Sequence, residues 1–569
     1  MKKQLLIFVS LLMVAQLGFS GGLVHNTNQS TAWARMLVRD ASTNIDAVFY
    51  NPAGLTKLND GFHFSINNQS LFQTQTITSS YPYLSPSPKT YEGNIAAPIF
   101  PGIYAAWKKG KLAISFGVNP IGGGGGATFD NGLPSMEIPF ATLVPSLGAL
   151  GVTAYNMNMQ FEGTSVYWGI QLGATYEIND MISVYLGGRY VMAKNTYNGY
   201  IKNVSVTTPS GESAPGEYVN DIGDQALAGS QQAGAASTAA YGGGDAMQPI
   251  LDNGGGDYTF AQLEAGGAIT AVERAQMEGG LLALGSTQAE IDAMSAGVAQ
   301  GTYYAYGEGY AEVSATYAAQ AQQLFGTAIY LTGVTADQEA DVIQTGSGFT
   351  PIVGVNISAM EEKLNIGIKY EFHTKMDLTD EVIDGKGFID GGTVNPTTGA
   401  FEPTYMFNEG AVTNADIPAF LSIGASYQII EPLTVQLGYH TYFDSKAGWA
   451  TNDDGVEIID KNFNEYAIGL EYNITEKFLV SAGYLLAITG ANEFYQDDLG
   501  FSLTTNTLGG GFAYKINDKF TAQIGGFFTS YDEGTFNKSY NLSDGTPVPY
   551  TETYDKETFA ISIGVDISL

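Results

Sequence analysis

The amino-acid sequence predicts an all-β protein, a transmembrane barrel of fourteen antiparallel strands. Apolar and polar residues alternate with period two in many segments, which is typical of strands with two different faces. Six connections between these segments are very short and polar, whereas the seven others are much longer. This segregation favours a membrane barrel over a soluble sandwich, whose two ends are not expected to differ in this way.

The strand assignment follows from where the alternation begins and ends. In the last segment one face is entirely apolar and the other is small or polar. The apolar positions are Phe559, Ile561, Ile563, Val565, Ile567 and Leu569. The fourteen predicted strands cover residues 61–77, 98–108, 111–119, 163–178, 181–199, 347–360, 363–377, 416–430, 433–445, 462–474, 477–489, 500–516, 519–535 and 554–569.

Composition excludes several classes of protein. The 569 residues include 57 Asp and Glu against 24 Lys and Arg, and this net charge of −33 argues against binding nucleic acid through a basic surface. Charged residues make up only 14%, while the chain has 71 Gly, 35 Tyr and 30 Phe, a mixture that is unusual for a cytosolic enzyme. Because cysteine is absent, disulfides, thiolate metal sites and cysteine nucleophiles are excluded.

The first twenty residues have the pattern of a secretory signal. A basic start is followed by an apolar stretch and then by the small-x-small sequence Gly18-Phe19-Ser20. We expect residues 1–20 to be removed and the mature chain to begin near Gly21. Beyond this segment no run of about 18 apolar residues occurs, so a membrane role requires a closed barrel.

Residues 200–345 form an insertion rich in Ala, Gly and Gln, in which the alternation is lost. Within it, 285–299 and 335–345 look helical, the first with a capped start at Ser286-Thr287. One interpretation is a large, partly helical decoration of an extracellular loop. The other is a surface cup that collects hydrophobic ligand. The cup would use Leu281, Leu282, Leu284, Phe325, Ile329 and Leu331.

Residues 21–60 lack strand alternation and combine charged side chains with large apolar ones. Arg35, Arg39 and Asp40 are charged, whereas Trp33 and Phe49 are large and apolar. An exposed tail would have little need of the apolar residues. A compact segment inside the barrel fits both facts, because the lumen of fourteen strands would otherwise be an open aqueous hole. We therefore expect a hatch at 21–60 inside a barrel formed by 61–569.

A short motif lies near the end of this hatch. Ala41-Ser42 is followed by a run ahead of the strands that comprises Asn51, Pro52, Ala53, Gly54 and Leu55. Together with the signal peptide, the strand count and the last strand, it resembles the FadL family of outer-membrane transporters for long-chain fatty acids and other hydrophobic compounds. The resemblance extends along the chain in organisation. Two features depart from the family: the final residue is Leu569 rather than an aromatic, and the insertion looks larger than the usual loop.

The resemblance implies a location, a function and partners. It implies a multi-pass monomer of the outer membrane that passively transports hydrophobic small molecules and is not an enzyme. In the family the hatch plugs the barrel, and its Asn-Pro-Ala lies beside an inward kink of the third strand that opens a lateral window into the membrane. Outer-membrane lipid is a further expected partner, and the acidic loops are compatible with divalent-ion bridging to lipopolysaccharide. No cofactor is indicated.

The third predicted strand has residues suited to such a kink. It is broken by Asn119 and Pro120 and then by a run of glycines that includes Gly122, Gly123 and Gly124. Proline has no N–H for the ladder, and glycines permit backbone conformations that strands reject. The sequence therefore predicts a lateral opening at this tract. The alternative is that the tract is the flexible start of a long extracellular loop.

Residues out of phase with the lipid-facing positions should point into the lumen. A fatty acid has one carboxylate and a long alkyl chain, so its site needs an apolar slot with one or two cations at an end. The candidate ligand-binding residues are the cations Arg189, Lys369 and Lys375 and the apolar Leu479, Leu485 and Phe527. The alternative for the cations is an ion pair with an acid of the hatch or wall, such as Asp40, Asp46, Glu371 or Glu471.

Two other functions remain open on the sequence alone. A general or specific porin would share the barrel, and its conductance would not depend on the hatch. A lipid hydrolase could use His63 and Ser65, which lie on one face of a strand, although the sequence places no acidic or amide partner beside them. The four histidines show no metal-binding pattern, so a catalytic metal is not expected.

Overall fold

The structure is a computed structural model that describes residues 23–452 and 455–569. The expected signal peptide and the expected start near Gly21 lie outside these residues. The chain divides into two compact units. One comprises residues 1–211, 337–390 and 404–569, and the other comprises 212–336 and 391–403.

Fourteen antiparallel strands form the wall of a closed barrel in the described part of the first unit. They are β1 (Gly61–Ser79), β2 (Lys89–Lys109), β3 (Leu112–Phe129), β4 (Ala154–Asn179), β5 (Ile182–Thr208), β6 (Gln338–Ala359), β7 (Leu364–Glu371), β8 (Phe420–Ile430), β9 (Leu433–Tyr442), β10 (Phe463–Asn473), β11 (Phe478–Ile488), β12 (Thr505–Lys515), β13 (Phe520–Tyr531) and β14 (Pro547–Ser568).

Each wall strand pairs with its neighbours in chain order, and β14 pairs with β1, from Ser568 opposite His63 to Glu552 opposite Ser79. The six short connections all join strands at one end of the barrel, here called the turn end. They cover residues 110–111, 180–181, 360–363, 431–432, 474–477 and 516–519. The longer connections lie at the opposite, loop end. The predicted fold class and strand number are therefore confirmed.

Apolar side chains of the wall face outward. On β14, Phe559 and Ile563 are 46% and 57% exposed, whereas the intervening Ala560 and Ser562 are buried. The apolar face is thus the one available to lipid, and the small or polar face points into the lumen. No helix among the described residues is both long and apolar enough to cross a membrane.

Residues 23–60 form the hatch, a compact plug of short helices inside the barrel. It contains α1 (Thr31–Ala34), α2 (Ala47–Tyr50) and a 3₁₀ helix at Pro52–Lys57. The Ser30 hydroxyl caps α1 by accepting from the Trp33 N–H at 3.0 Å. The charged side chains of Arg35, Arg39, Asp40 and Asp46 are buried together with the large apolar ones, which explains the mixed composition.

Several shorter elements extend the loop end. After β3 come α3 (Pro134–Ala141), α4 (Leu143–Leu147) and a 3₁₀ helix at Gly148–Leu150, and another 3₁₀ helix, Asp444–Lys446, follows β9. Short strands lie at Gly211–Ser213, Asp377–Gly387, Ile389–Val394, Phe401–Tyr405, Val412–Asn414 and Gly534–Asn541. Ile389–Val394 and Phe401–Tyr405 pair with each other in a separate two-stranded sheet, whereas the other short strands join the sheet of the wall.

The second unit is built on two long helices that pack against each other, α5 (Pro215–Asp245) and α10 (Ala296–Val334). The short helices between them are α6 (Gln248–Asp252), α7 (Phe260–Ala265), α8 (Ala271–Ala283) and α9 (Gln288–Ala293). The buried positions of α5 are mostly small and recur every three or four residues. They include Val219, Gly223, Ala226, Ser230, Ala233, Ser237, Ala240 and Gly244. This spacing is the heptad pattern of paired helices, with small residues that allow a close approach.

The structure corrects part of the prediction for the insertion. The stretch 335–345 is not helical, because β6 begins at Gln338, which pairs with Ile201 of β5. Pairing with a long strand overrides the helical preference of its Ala- and Glu-rich sequence. The start of 285–299 is confirmed, since Thr287 and Glu290 form a capping box. The proposed cup is not found: Leu281 is buried in a cluster around Phe260, whereas Phe325 packs on α5.

Candidate functional site

Along one arc of the wall, β7 to β14, the hatch backbone lies almost against the strands. We call this the closed arc. Each of its eight strands has a glycine facing hatch residues 31–40, namely Gly367, Gly424, Gly438, Gly469, Gly483, Gly509, Gly525 and Gly564. A Cβ atom at Gly525 would lie 2.9 Å from the Arg35 nitrogen, and one at Gly483 would overlap the Met36 carbonyl oxygen. Larger residues here would push the hatch away from the wall.

Buried ion pairs add to this packing. On β9, His440 lies between a hatch carboxylate and a wall carboxylate: its Nε2 is 2.6 Å from Asp40 Oδ1 and its Nδ1 is 2.6 Å from Glu465 Oε2. Because both ring nitrogens face carboxylate oxygens, the imidazolium form, which donates from both, fits this geometry. Arg35 of the hatch contacts Glu471 of β10 at 2.6 Å. The hatch is therefore fixed to the closed arc by charge as well as by close packing.

Within the hatch, Arg39 and Asp46 form a bidentate pair. The guanidinium Nε and Nη2 donate to the two Asp46 oxygens at 2.7 and 2.9 Å, and the Ser42 hydroxyl donates to Oδ1 at 2.6 Å. Burial alone would raise the pKa of Asp46, but Arg39 and these hydrogen bonds hold it below its ordinary value. The pair lies within the plug, so the partner of Asp46 is a hatch arginine and not one of the cations predicted to face the lumen.

The Asn51 to Leu55 motif docks on the opposite part of the wall. Asn51 Nδ2 donates to Ser42 O at 3.0 Å and to Asn356 Oδ1 of β6 at 2.8 Å. The carbonyl oxygens of Pro52 and Ala53 accept from hydroxyls of β4 and β5 at 2.7 and 2.6 Å. Gly54 has no room for a side chain, because a Cβ would lie 2.6 Å from Asn51 Nδ2. The motif therefore fixes the end of the hatch to three wall strands.

The ladder between β2 and β3 is interrupted. The two strands pair up to Ala96 opposite Gly126 and resume at Ile103 opposite Val118. Residues 97–102 of β2 and 119–125 of β3 have no partner across this interface, and we call this region the wall gap. On its other side β3 stays paired with β4 through two bulges, at Ile121 and Gly124. The tract is thus an interrupted strand and not the start of a loop, so that alternative is wrong.

The hatch supplies the hydrogen bonds that β2 does not. The Asn26 N–H donates to Ile121 O at 2.7 Å, and Gln29 Nε2 donates to Pro120 O at 2.8 Å. Asn119 Nδ2 in turn donates to Gln29 Oε1 at 2.8 Å. Since a buried carbonyl needs a donor, these side chains replace a strand neighbour. Asn26 and Gln29, rather than the Asn51 motif, make these hydrogen bonds to the kink.

The β2 side of the gap carries a signal that the sequence analysis did not use. Pro98 and Pro101 both lie in the unpaired stretch, and neither has an N–H to donate to a neighbouring strand. Asn68 and Ser70 of β1 donate to the Pro98 carbonyl at 3.2 and 2.9 Å. Between the prolines, Ile99 is 74% exposed on the outer face. Two prolines opposite a Pro-Gly tract could have predicted the gap from both strands.

Two of the predicted cations, Arg189 on β5 and Lys369 on β7, meet inside the barrel. Arg189 forms a bidentate pair with Glu371, at 2.5 and 3.0 Å, and Lys369 Nζ lies 2.8 Å from the same carboxylate. All three side chains are buried. Two cations thus share one carboxylate, and Arg189 Nε has no hydrogen-bond partner among the described residues. Lys369 also lies over the Phe49 ring, 4.5 Å from its centroid.

A packed cluster of buried apolar side chains, which we call the apolar compartment, adjoins these cations. Its link to them is Phe420, whose ring centroid is 5.2 Å from Lys369 Nζ and which stacks on Tyr442 at 4.7 Å. The compartment comprises Leu23, Phe420, Tyr442, Ala450, Ile458, Ile459, Phe463, Ala487 and Tyr495. Leu23, the first described residue, fills part of it. Four of these nine residues come from loops that lack a recognisable period, and Leu23 comes from the hatch, so alternation along the strands could not predict the group.

The remaining predicted ligand residues are not brought together with this cluster. Lys375 follows β7 and is exposed. Phe527 packs edge-on against Trp33 of the hatch, with ring centroids 5.5 Å apart. Leu485 is buried on β11, and Leu479 lies on the same face nearer the turn end. These apolar residues face the lumen as the alternation predicts, but Phe527 supports the hatch.

The residues considered for a hydrolase do not form a catalytic pair. His63 Nδ1 lies 3.1 Å from Ser568 Oγ and its Nε2 lies 2.8 Å from Asn59 O, while the Ser65 hydroxyl donates to Asp566 at 2.6 Å. A nucleophile needs a base within hydrogen-bond reach, and His63 is bonded elsewhere. Within residues 23–452 and 455–569 no group of three or more His, Asp or Glu side chains could hold a metal ion.

Solved structures share this architecture. A FadL homologue from Pseudomonas aeruginosa aligns over 96% of this chain and 100% of its own, with 11% identity and a TM-score of 0.52. The chain has the FadL-type fold. The toluene transporters TbuX of Ralstonia pickettii and TodX of Pseudomonas putida align over 95% and 96% of this chain and 98% and 99% of theirs, at 14% and 10% identity, with TM-scores of 0.43. No protein-family model and no curated protein matches the sequence.

At this level of identity the FadL-type likeness shows the fold alone. It accounts for the plugged barrel of fourteen strands that the sequence predicted. The features that bear on function come from this chain itself. They are the wall gap, the polar contacts that fill it, and the cations beside an apolar compartment.

Proposed function

We propose that the protein lets hydrophobic molecules cross the outer membrane passively and leave the lumen laterally through the wall gap. The observation that carries this proposal is the unpaired stretch between β2 and β3, filled only by side chains and backbone of the hatch. The ladder between β6 and β7 is also interrupted, at residues 346–351, but there residues 374–377, which follow β7, lie against β6. This role requires a shift of the hatch but no catalytic group, so it is transport and not an enzymatic reaction.

Long-chain fatty acids are the substrates we propose. The three-residue cluster of Arg189, Lys369 and Glu371 has one more cation than anions, and Arg189 Nε is a buried donor without a partner. An alkyl carboxylate would supply the missing anion and place its tail in the adjoining apolar compartment. Burying the tail contributes about 0.8 kcal/mol per CH₂, which is sufficient to drive capture without an energy source.

The proposed location and partners follow from the same features. The outward apolar face suits outer-membrane lipid, with the loop end outside and the turn end in the periplasm. The net charge of −33 fits divalent-ion bridging between loops and lipopolysaccharide. We propose a monomer, because a single chain already closes the barrel.

A deletion tests the lateral route. Ile121 and Gly124 are the extra residues of the two β3 bulges, so a variant lacking both gives β3 a regular register with β4 and shortens its unpaired stretch opposite β2 from seven residues to five. We expect uptake of a fluorescent long-chain fatty acid by cells expressing this variant to fall at least tenfold. The heat-dependent gel shift of the folded barrel is the check that the variant still folds. Undiminished uptake by the folded variant would reject the lateral route.

The substrate class is tested separately at Lys369. Lys369→Met removes one cation while Glu371 keeps its bidentate pair with Arg189. We expect affinity for a long-chain fatty acid to fall about tenfold, as for the loss of one charge-assisted hydrogen bond, and affinity for an alkane of equal length to stay unchanged. Lys375→Met, at an exposed position, is the matched control. Equal losses for acid and alkane would argue against carboxylate recognition.

A further inference from the structure

A cavity lies at the loop end of the barrel unit, and its lining is mostly polar, unlike the apolar compartment beside Arg189 and Lys369. It has a volume of about 580 Å³ and is lined by residues of β4, β5 and the connections after β1 and β3. Among the lining residues only Met157 and Met159 have fully apolar side chains. Such a cavity is unsuited to an alkyl chain and is separate from the proposed transport route.

Backbone irregularities shape this cavity. The register of β4 and β5 shifts between Asn156, opposite Ser205, and Asn158, opposite Lys202. In the displaced stretch Asn203 has φ +57°, a left-handed conformation that asparagine adopts more readily than most residues. Bulges of this kind re-aim side chains next to functional sites. Here the shift places asparagines from both strands around one space.

The floor of the cavity is a pre-organised polar network. Glu137 is buried and accepts from the hydroxyls of Tyr91 and Tyr155 at 2.7 and 2.6 Å and from Lys89 Nζ at 2.6 and 2.7 Å. Its bonding capacity is therefore largely used, and its charge is neutralised by Lys89. The network fixes the Tyr155 ring in place at the cavity wall.

The rim is different, because its carboxamide side chains are exposed to solvent. The side chains of Asn131, Asn156, Asn158 and Asn203 line the cavity and make no hydrogen bond within the part of the chain that the structure describes. Each carboxamide both donates and accepts, so it matches a hydroxyl group, which also does both. The half-buried Tyr200 ring, with Lys202 Nζ 5.3 Å from its centroid, adds a flat apolar surface.

Charge decides between ligand classes. Lys89 and Lys202 are balanced by Asp130 and Glu137 among the lining residues, so the cavity has no net charge. Lys202 is also paired with Glu339. A phosphate or a carboxylate would find no free cation, and a metal ion would find no free cluster of acids. Carboxamides with tyrosine rings and no net charge suit a ligand with many hydroxyls and apolar ring faces.

We propose that this cavity binds the pyranose rings of an uncharged saccharide. Its volume accommodates two or three sugar rings, with carboxamides on the hydroxyls and a tyrosine ring against a sugar face. Two sources share this chemistry: the sugar chain of lipopolysaccharide in the same membrane, and free oligosaccharide outside the cell. The proposal does not depend on the transport function.

Saturation-transfer NMR on the full-length protein in nanodiscs tests the proposal, with two probes. One is a set of neutral trisaccharides, maltotriose and mannotriose, and the other is the oligosaccharide released from lipopolysaccharide by mild acid. We expect at least one probe to bind, and Asn158→Ala and Tyr200→Ala each to weaken that binding about tenfold. The probe that binds identifies the source.

Asn541→Ala, an exposed asparagine on the strand Gly534–Asn541, is the control and should bind like the parent protein. The gel shift of the folded barrel verifies each variant. Two results would overturn the proposal. One is that neither probe binds the parent protein, and the other is that binding persists unchanged in both cavity variants.

Discussion

The closed arc and the wall gap hold the same hatch in different ways. Along β7 to β14 one glycine per strand lets the backbone of residues 31–40 lie against the wall, and His440 and Arg35 add buried ion pairs. At the gap β3 has no hydrogen-bonded strand on its β2 side, and Asn26 and Gln29 bond to it instead. Close packing occurs on both sides, since a Cβ at Gly122 would lie 2.6 Å from Val24 O, but the closed arc adds buried ion pairs, whereas the described polar contacts at the gap are neutral hydrogen bonds.

This difference indicates which side of the hatch moves first. Removing one partner of a buried ion pair costs about 3–5 kcal/mol, whereas losing a neutral hydrogen bond that water can replace costs about 1 kcal/mol. The segment 23–30 at the gap should therefore open while 31–40 stays in place. A local opening of this kind allows passage through the wall without release of the whole plug.

Removing the bridge at His440 should have the largest effect on the closed arc. His440→Leu leaves Asp40 and Glu465 buried without their shared cation, at a cost of about 3–5 kcal/mol. We expect earlier unfolding in a urea titration and proteolysis of the hatch. His373→Leu, which breaks a half-exposed pair with Asp416, is the control and should change stability by less than about 1 kcal/mol. Similar losses of stability in the two variants would contradict the claim that the buried bridge at His440 fixes the hatch more firmly than a half-exposed pair does.

Adding a side chain where the hatch backbone contacts the wall should have the next largest effect. In Gly483→Ala the new methyl group overlaps the Met36 carbonyl oxygen, so the hatch backbone must shift, at a cost of about 1–3 kcal/mol. We expect increased ion conductance in planar bilayers.

Gly510→Ala is the matched control for this conductance test. The added Cβ would lie 3.6 Å from its nearest neighbour, Ser481 O, which is ordinary contact. Its conductance should equal that of the parent protein. If Gly483→Ala also conducts like the parent, the glycines of the closed arc do not set the position of the hatch.

A smaller effect is expected at the gap. Gln29→Ala removes the bonds to Pro120 O and Asn119 Nδ2, at a cost of about 1–2 kcal/mol. We expect faster fatty-acid uptake with little loss of global stability, because only the gap side is loosened. Combining it with Asn119→Ala should add little, since the two side chains share one bond. Full additivity in this double-mutant cycle would show that they act separately.

The smallest expected effect is the pH dependence of the stability of the loop that contains Asp444, beside the apolar compartment. Burial raises the pKa of Asp444 to about 8 from an ordinary value of 3.8. The folded loop therefore binds this proton more tightly than the unfolded loop, so its stability is full below about pH 4 and declines as pH rises to about 8. Asp444→Asn should flatten the pH dependence of hydrogen exchange at the Phe463 amide between pH 5 and 8. The exposed Asp460→Asn should leave it unchanged, and an equal response would contradict the assignment.

Much of the barrel could be predicted because its signals are local. Alternation and turn length identify each wall strand, and the phase of Arg189 and Lys369 places both inside the lumen. The kink could be predicted because Pro120 and its neighbouring glycines are incompatible with a regular ladder. These signals need only a few residues of sequence.

The rest depends on contacts distant in sequence. Nothing near Gly483 indicates that Met36 will lie against it, and nothing near His440 indicates that Asp40 is its partner. The apolar compartment joins Leu23 to residues of β8 to β11 and their loops. In the second unit, the small residues at the interface of α5 conceal the periodicity by which helices are usually predicted. Such features need the folded chain.

Hydrogen exchange of the hatch, measured by mass spectrometry in nanodiscs with and without a long-chain fatty acid, tests the central claim most directly. The account predicts that ligand increases exchange in residues 23–30, which fill the wall gap, and leaves residues 31–40 on the closed arc protected. Increased exchange across both segments, or in residues 31–40 alone, would contradict it.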